Sequence, residues 1–412
     1  MSTGVGAMPM RILHIIPGLT RERGGPTAVV QALVRHQAGA GHSVHVLTTD
    51  QGLRNGEQPI PLPEATAIEV VRVRGSDRLA YAPDFGPRVK ARLRAVDVAH
   101  IHSIFTYPAH VALRAALAAG VPAIFRPCGH LHRYSLGRSA WRKWAYLKLW
   151  GNMVRQACTA WHYTSERESA ESWPWDASPR FVLPNGIEPD DFATDRTQAR
   201  KVVARAWPQI GDSAYVLFLG RLHPKKRLDL LLPAFLHGAP RDFHLVVAGP
   251  DECNLWEPLA SQWLRETDAG RRVHRLGTVA GAEKVALLAS AALFALPSEH
   301  ENFGIAALEA LGAGTPVLLS PHVDLADAAL AAAVGYTAPV RVEAWRDAFA
   351  GILSSSSNRQ SKAEQIRRWV RENYAWSQIA RVLERHYESA CAAGASDKPF
   401  VGRPEPAGDR YA

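Results

Sequence analysis

Short apolar runs alternating with helix-forming stretches constrain this chain more than any other feature. "RILHIIP" at residues 11–17 reads as a buried strand. "GPTAVVQALVRHQAGAG" follows, with Val29, Val30, Leu33 and Val34 at helical spacing and Gly39 and Gly41 at its end. "HSVHVLTTD", "IEVVRVR" and "VAHIHS" are further strands, and a helix over about residues 108–119 stops at Gly120. "VPAIFRPCG", a helix over about residues 137–155 and "CTAWHYTS" complete the series. Strands apolar on both faces need cover on both faces, so this rhythm predicts a parallel α/β sheet.

The rhythm pauses at "FVLPNGIEPDDFATD", residues 181–195, where Pro184, Asn185, Gly186 and Pro189 punctuate the chain. A second series follows: "YVLFLG", "FHLVVAG", "RVHRLGTV", "AALFALPS" and, closing the set, "TPVLLS". The 412 residues suffice for two cores. The expectation is two doubly wound domains facing across a cleft at their strand ends. The expected bounds are residues 10–185, 186–374, a helix at 375–390 returning to the first domain, and a disordered Gly- and Pro-rich tail at 391–412. "SSSSNRQSK", residues 354–362, reads as an exposed loop.

Hydrophobic residues at 47% and charged residues at 21% mark a globular chain, and the net charge of +9 favours anionic partners. A nucleic-acid binder needs a continuous basic stripe or interleaved aromatics, whereas these cations scatter. Four cysteines form no Cys-x-x-Cys pair, so neither zinc nor a disulfide framework is expected. No apolar run of about 20 residues occurs, and the N-terminus reads as a first strand, which predicts a cytoplasmic protein. "SLGRSAWRKWAYLKLWGNMVRQA" mixes Arg138, Arg142, Lys143 and Lys148 with Trp141, Trp144, Tyr146 and Trp150. That mixture suits an anionic surface on the inner face of the cell membrane, or an acceptor cleft.

Three stretches carry chemistry. In "ALPSEHENFGIAALEALGAGTPVLLS" a strand runs into a loop holding Glu301, and a helix begins near Phe303 or Gly304 with Glu309 more than one turn in. The backbone N–H groups of Phe303, Gly304 and Ile305 suit a phosphate or diphosphate, and flanking carboxylates suit sugar hydroxyls. A helix with an acid near its start and one surface Glu is the plain alternative. In "FLGRLHPKKRLDLLLPAF" a strand end precedes Arg221 and Lys226, a phosphate clamp or a solvated basic loop. In "GLTRERGGPTAVV" Gly24 and Gly25 form either an anion-facing loop or a tight turn, and neither G-x-G-x-x-G nor a Walker pattern is present.

In this order, with "VLPNGIE" between the halves, these stretches resemble the retaining glycosyltransferases of family 4, and "ENFGIAALE" resembles their E-x7-E signature. The resemblance spans residues 10–390 and implies two Rossmann-like domains of the GT-B fold. It implies that Arg221 and Lys226 hold the diphosphate of a UDP- or GDP-linked sugar. Phe303, Gly304 and Ile305 then contact the donor, Glu309 the ribose and Glu301 the transferred sugar. Val279 lies beside the base, and Gly24 and Gly25 approach from the first domain. It further implies a saccharide or lipid-linked saccharide acceptor and no cofactor or metal, which agrees with a sequence lacking D-x-D and any His/Cys cluster.

Cys128, in "RPCGHLHRYSLG", stands where many relatives carry a histidine. His130, close by, is a catalytic candidate that could orient a donor hydroxyl or the reacting sugar, with an acceptor-side or a packed role as the alternatives; His102 and Ser103 are further strand-end candidates. An inverting transferase, a sugar-nucleotide epimerase and a non-catalytic sugar-binding relative are the rival readings.

Overall fold

The computed structural model describes residues 8–20, 25–53, 57–75, 77–138, 140–175, 178–264, 268–354 and 359–395. The chain forms two compact units. One runs to Gly186 and resumes at Trp376; the other is Ile187–Ala375.

The first unit holds seven strands: β1 (Arg11–Gly18), β2 (Ser43–Thr49), β3 (Ala67–Val71), β4 (Val98–His102), β5 (Ala123–Arg126), β6 (Ala160–Tyr163) and β7 (Arg180–Val182). Their order is β3-β2-β1-β4-β5-β6-β7, with every pairing parallel. The period of two sorts the β1 side chains. Leu13 and Ile15 join one core with Ala99, Ile101 and Phe125, and Ile16 joins Val44 and Val46 in another. His14, directly opposite His100 on β4, is buried with His102.

The second unit holds β8 (Ala214–Leu219), β9 (Phe243–Ala248), β10 (Val273–Gly277), β11 (Leu293–Leu296), β12 (Val317–Leu319) and β13 (Gly335–Thr337). They form a parallel sheet in the order β10-β9-β8-β11-β12-β13. In both sheets the order reverses beside the first strand, between β1 and β4 and between β8 and β11. Loops leaving neighbouring strands diverge at such a point and leave room for a ligand beyond the strand ends.

Several expectations need correction. "TPVLLS" does not close the second set, because β13 lies outside it. β7 overlaps the start of the expected pause, where Pro184, Asn185 and Gly186 follow its Arg-Phe-Val run too closely for a strand pattern to stand out. The helix expected over about residues 137–155 runs Ala140–Ala157, and a separate short helix, Arg133–Gly137, precedes it and ends where Arg138 turns extended. Residues 359–362, expected as loop, open helix Arg359–Tyr374; Ala375 then bridges to Ile187, and helix Trp376–Ala395 follows. Residues 391–395, expected as disordered tail, continue that last helix; residues 355–358 and 396–412 lie outside the described residues. All four cysteines are free. Among the described residues no helix is long and apolar enough to cross a membrane.

Candidate functional site

At the switch point of the second sheet, the loops after β8 and β11 are tied together. Glu299 N–H donates to Lys225 O at 2.8 Å, Arg227 pairs with Glu299 at 3.0 Å, and the Lys226 ammonium donates to the Glu301 carboxylate. Arg227 also pairs with Asp229 at 3.0 Å, so part of the basic loop is already matched by acids. Glu301 is pinned through its backbone: its N–H donates to His322 O at 3.1 Å, and its carbonyl accepts from Asp324. Burial raises the pKa of the Glu301 carboxyl. Lys226 and Lys225 overturn that effect, with the Lys226 hydrogen bond and His300 adding to them, and hold it below the usual carboxylate range.

The helix after this loop is Ile305–Gly312. Phe303 and Gly304 precede it with φ of 72° and 91°, two consecutive left-handed residues that reverse the chain. The Phe303 ring is buried beside Tyr374 at 6.0 Å between centroids, so only its backbone can face a ligand. The Gly304 N–H is not available as expected, because it donates to Asn302 O at 3.0 Å. The N–H groups of Ile305 and Ala306 open the helix and have no carbonyl four residues back within it. Glu309, the fifth helical residue, receives a hydrogen bond from Lys284 Nζ at 2.7 Å.

Each acid of the signature is therefore neutralised by a lysine. Sequence reasoning missed Lys284: it lies 25 positions from Glu309, on helix Gly281–Ser290, and no local spacing links them. Arg221, just past β8, is exposed and pairs with Glu252 at 3.4 Å. Val279 is half-buried between β10 and the Lys284 helix, packed on the core. Gly25 begins helix Gly25–Gly39 of the first unit, while Gly24 lies outside the described residues.

In the first unit, the loops after β4 and β5 also hold left-handed residues: Ser103, Phe105, Cys128 and Gly129, at φ of 73°, 61°, 55° and 74°. Such backbone in non-glycine residues clusters at sites where the surroundings over-determine it. Ser103 N–H donates to Arg126 O at 2.8 Å, and Ser103 Oγ lies 3.1 Å from His130 Nδ1. His130 is exposed. His132 points elsewhere, capping helix Arg133–Gly137 and pairing with Glu171 at 3.1 Å. Burial pushes the Cys128 thiol up, which keeps it protonated and a weak nucleophile.

Behind these loops the structure assembles a histidine cluster where the sequence showed none. His14, His100 and His102 bring one ring nitrogen each within 4.8 Å of one another. Their hydrogen bonds have a fixed direction. Leu183 O can only accept, so His162 Nε2–H donates to it at 3.0 Å. His162 Nδ1 then accepts from His100 Nε2 at 3.3 Å, and His100 Nδ1 from the Tyr387 hydroxyl at 2.7 Å. Tyr387 accepts from Gln37 Nε2 at 3.2 Å, Gln37 Oε1 from His14 Nε2 at 2.7 Å, and His14 Nδ1 from His102 at 3.1 Å. This chain requires neutral imidazoles at His162, His100 and His14, whose Nδ1 atoms accept, and burial lowers the pKa of all four rings, that of His14 to about 4. The His102 Nδ1 left at its end has no partner, and neither have Nε and Nη1 of the buried Arg126, whose Nη2 reaches Asn185 Oδ1 at 2.5 Å.

Helix Ala140–Ala157 buries Leu147, Gly151, Val154 and Ala157. It exposes Trp141, Trp144, Leu149 and Trp150, while Tyr146 turns inward to His110 at 3.1 Å.

Residues 201–371 match the family described as Glycosyl transferases group 1, and residues 23–191 match Glycosyltransferase Family 4. The GDP-mannose:cellobiosyl-diphosphopolyprenol alpha-mannosyltransferase of Xanthomonas campestris is 25% identical over 335 residues, 77% of this chain and 81% of that protein. The phosphatidyl-myo-inositol mannosyltransferase of Mycobacterium leprae is 32% identical over 241 residues, 55% of this chain and 58% of that protein. The crystal structure of Anabaena Alr3699/HepE in complex with UDP and glucose superposes with a TM-score of 0.72 at 16% identity, covering 92% of this chain and 100% of that one.

Proposed function

We propose that the chain, a glycosyltransferase of the group 1 and family 4 type with the GT-B fold, transfers a hexose from a nucleotide-diphosphate sugar with retention of anomeric configuration. One observation carries this reading: Lys226, Glu301 and the opening of helix Ile305–Gly312 stand together at the switch point between β8 and β11. A diphosphate there meets Arg221, Lys226 and the backbone N–H groups of Ile305 and Ala306. Glu301 and Glu309 read sugar and ribose hydroxyls as acceptors, and the E-x7-E assignment belongs to this reading. The ionised state favoured at Glu301 suits accepting hydrogen bonds.

The leaving diphosphate gains charge as the glycosidic bond breaks, and fixed cations and amide dipoles stabilise that charge without reorganising. The acceptor hydroxyl attacks the anomeric carbon on the face the diphosphate leaves, and a donor phosphate oxygen takes its proton. His130, held by Ser103, is assigned to the reacting sugar. The donor is UDP- or GDP-linked, in line with the ligand of the Anabaena protein and the donor in the Xanthomonas enzyme's name. A lipid-linked acceptor accords with the polyprenol and phosphatidylinositol in the relatives' names. The exposed tryptophans of helix Ala140–Ala157 would then lie against a membrane surface.

A binding and hydrolysis screen across UDP- and GDP-sugars tests the donor assignment. Glu309→Ala and Arg221→Ala are each expected to lower donor affinity or turnover by about ten- to a hundredfold, the range for a lost hydrogen bond to a charged group. Unchanged affinity and turnover in both variants would remove the assignment.

A further inference from the structure

Ser165-x-x-Glu168 has the spacing of a capping box, in which the acid reaches back to the backbone N–H of the cap residue. Half of that box is present: Ser165 Oγ accepts from Glu168 N–H at 2.9 Å and starts helix Glu166–Glu171. The other half is diverted. Glu168 Oε2 accepts from the Thr164 N–H and the Thr164 hydroxyl, both at 2.7 Å, and Oε1 accepts from Gly129 N–H at 2.6 Å. Glu168 is 1% exposed, although a cap for a six-residue helix could stay in solvent. Burying a carboxylate costs free energy unless donors meet it, and here the donors are short and come from two separate segments.

The residue held at Oε1 is informative. Gly129 sits between Cys128 and His130, and both Cys128 and Gly129 are left-handed. Cys128 bears the cost of a left-handed residue with a side chain, while Gly129 leaves the backbone many alternatives, and a fixed acceptor on the Gly129 N–H selects this turn from them. Further ties run from His130 N–H to Pro127 O at 3.2 Å, from His132 N–H to Gly129 O at 3.3 Å, from Cys128 Sγ to Arg126 O at 3.5 Å and between Ser103 Oγ and His130 Nδ1 at 3.1 Å.

We propose that Glu168 is a positioning residue for sugar transfer: through the Gly129 N–H it fixes the turn at residues 127–130 and so the place of His130 beside Ser103. This rests on the reading that places His130 at the reacting sugar. A purely structural Glu168 would change stability without any link to what His130 does. A positioning Glu168 loses its effect on rate once His130 is gone.

The test compares Glu168→Gln, Glu168→Ala, His130→Ala and the double variant Glu168→Gln/His130→Ala in the full chain. Transfer is measured with the nucleotide sugar that the donor screen identifies, and amide exchange is followed across residues 127–131. Glutamine keeps the shape but places an NH2 where one oxygen accepted, so it carries the test even where alanine fails to fold. The expected result for Glu168→Gln is a fall in kcat of about tenfold with donor KM within about twofold, the signature of misplacement rather than lost binding. Gly129 exchange should quicken, and the double variant should be no slower than His130→Ala alone.

The proposal is overturned if His130→Ala is impaired while Glu168→Gln keeps full kcat, or if the two losses multiply in the double variant. A His130→Ala enzyme with full activity would instead remove the role of His130 and the consequence for rate with it. That case is told apart because Glu168→Gln would speed Gly129 exchange and leave kcat unchanged.

Discussion

The two sheets share one winding order and differ in what stands at their strand ends. In the second unit the chemistry is on display: Lys226 on Glu301, Lys284 on Glu309, and a helix opened by a left-handed glycine. In the first unit the exposed part is slight, His130 on Ser103, and most polar groups are sealed beneath it as a one-way chain of neutral imidazoles. Paired charges at a half-exposed strand end can be exchanged for a ligand's charges. A buried chain in which nearly every donor has its acceptor has little to offer a ligand, so its contribution is to hold elements in place. It ties helix Trp376–Ala395 to β4 through Tyr387 and helix Gly25–Gly39 to β1 through Gln37.

The sharpest break of this comparison is one substitution in each region. Lys226→Ala removes a cation proposed to meet the leaving diphosphate and leaves Glu301 without its partner. Turnover should fall by about a hundred- to a thousandfold, comparable to losing one preorganised electrostatic group. His14→Ala opens the imidazole chain and should lower the melting temperature while leaving donor affinity within about threefold. If isothermal titration finds donor affinity lost in His14→Ala and kept in Lys226→Ala, the roles of the two regions are reversed.

The difference also governs what could be read beforehand. The parallel two-domain fold was legible because each buried strand prints an apolar run and each crossover a helical one. β7 (Arg-Phe-Val) is closely followed by Pro184, Asn185 and Gly186, and β13 (Gly-Tyr-Thr) opens on a glycine, so neither prints the apolar run that the equally short β12 (Val-Leu-Leu) does. Glu301, Gly304 and Glu309 were legible as a group because they fall within one short stretch of chain, residues 301–309. Lys284 was not, because its link to Glu309 is made only by folding. The imidazole chain was still less so. His14, His100, His102 and His162 each look like an isolated polar residue in a strand. Only the pairing of β1 with β4 and the burial of Tyr387 give them partners. Gly304 illustrates a subtler miss: its glycine was noticed, but the use of its N–H within the turn was not.

Acid should separate the regions next. The folded pKa of His14 is about 4, against 6.5 when unperturbed. The unfolded chain therefore binds a proton below about pH 6.5 that the folded chain refuses until about pH 4, so stability falls as pH drops through that window. For His14 alone the loss is about 3 kcal/mol, and His100, His102 and His162 act in the same direction. Glu301, with its pKa lowered below 4.5, has the linkage of a carboxylate: its contribution is present above the unfolded value and is lost only as pH falls through the folded one. Urea midpoints should thus drop between about pH 7 and 5, where Glu301 is still ionised. A flat profile across that interval would contradict the neutral imidazole chain.

The smallest expected effect is at Gly304. A Cβ built there would lie 2.7 Å from Val323 Cγ1, and φ is 91°, where side-chain-bearing residues are strained. Val323 is buried and its backbone pairs with Glu301, so it cannot simply withdraw. Gly304→Ala should therefore cost about 1–3 kcal/mol. Part of that cost can be relieved if the turn shifts, carrying Glu301 away from Lys226 and turning the first N–H groups of the helix. Donor affinity should then fall together with stability, whereas Gly120→Ala offers a control: φ there is 64°, nothing lies within 4 Å, and the position is at a helix end in the first unit. Loss of stability in both variants with donor affinity lost only at Gly304 is the expected pattern. Equal donor affinity in the two would mean that the left-handed turn serves folding alone and that the helix opening does not need its present aim.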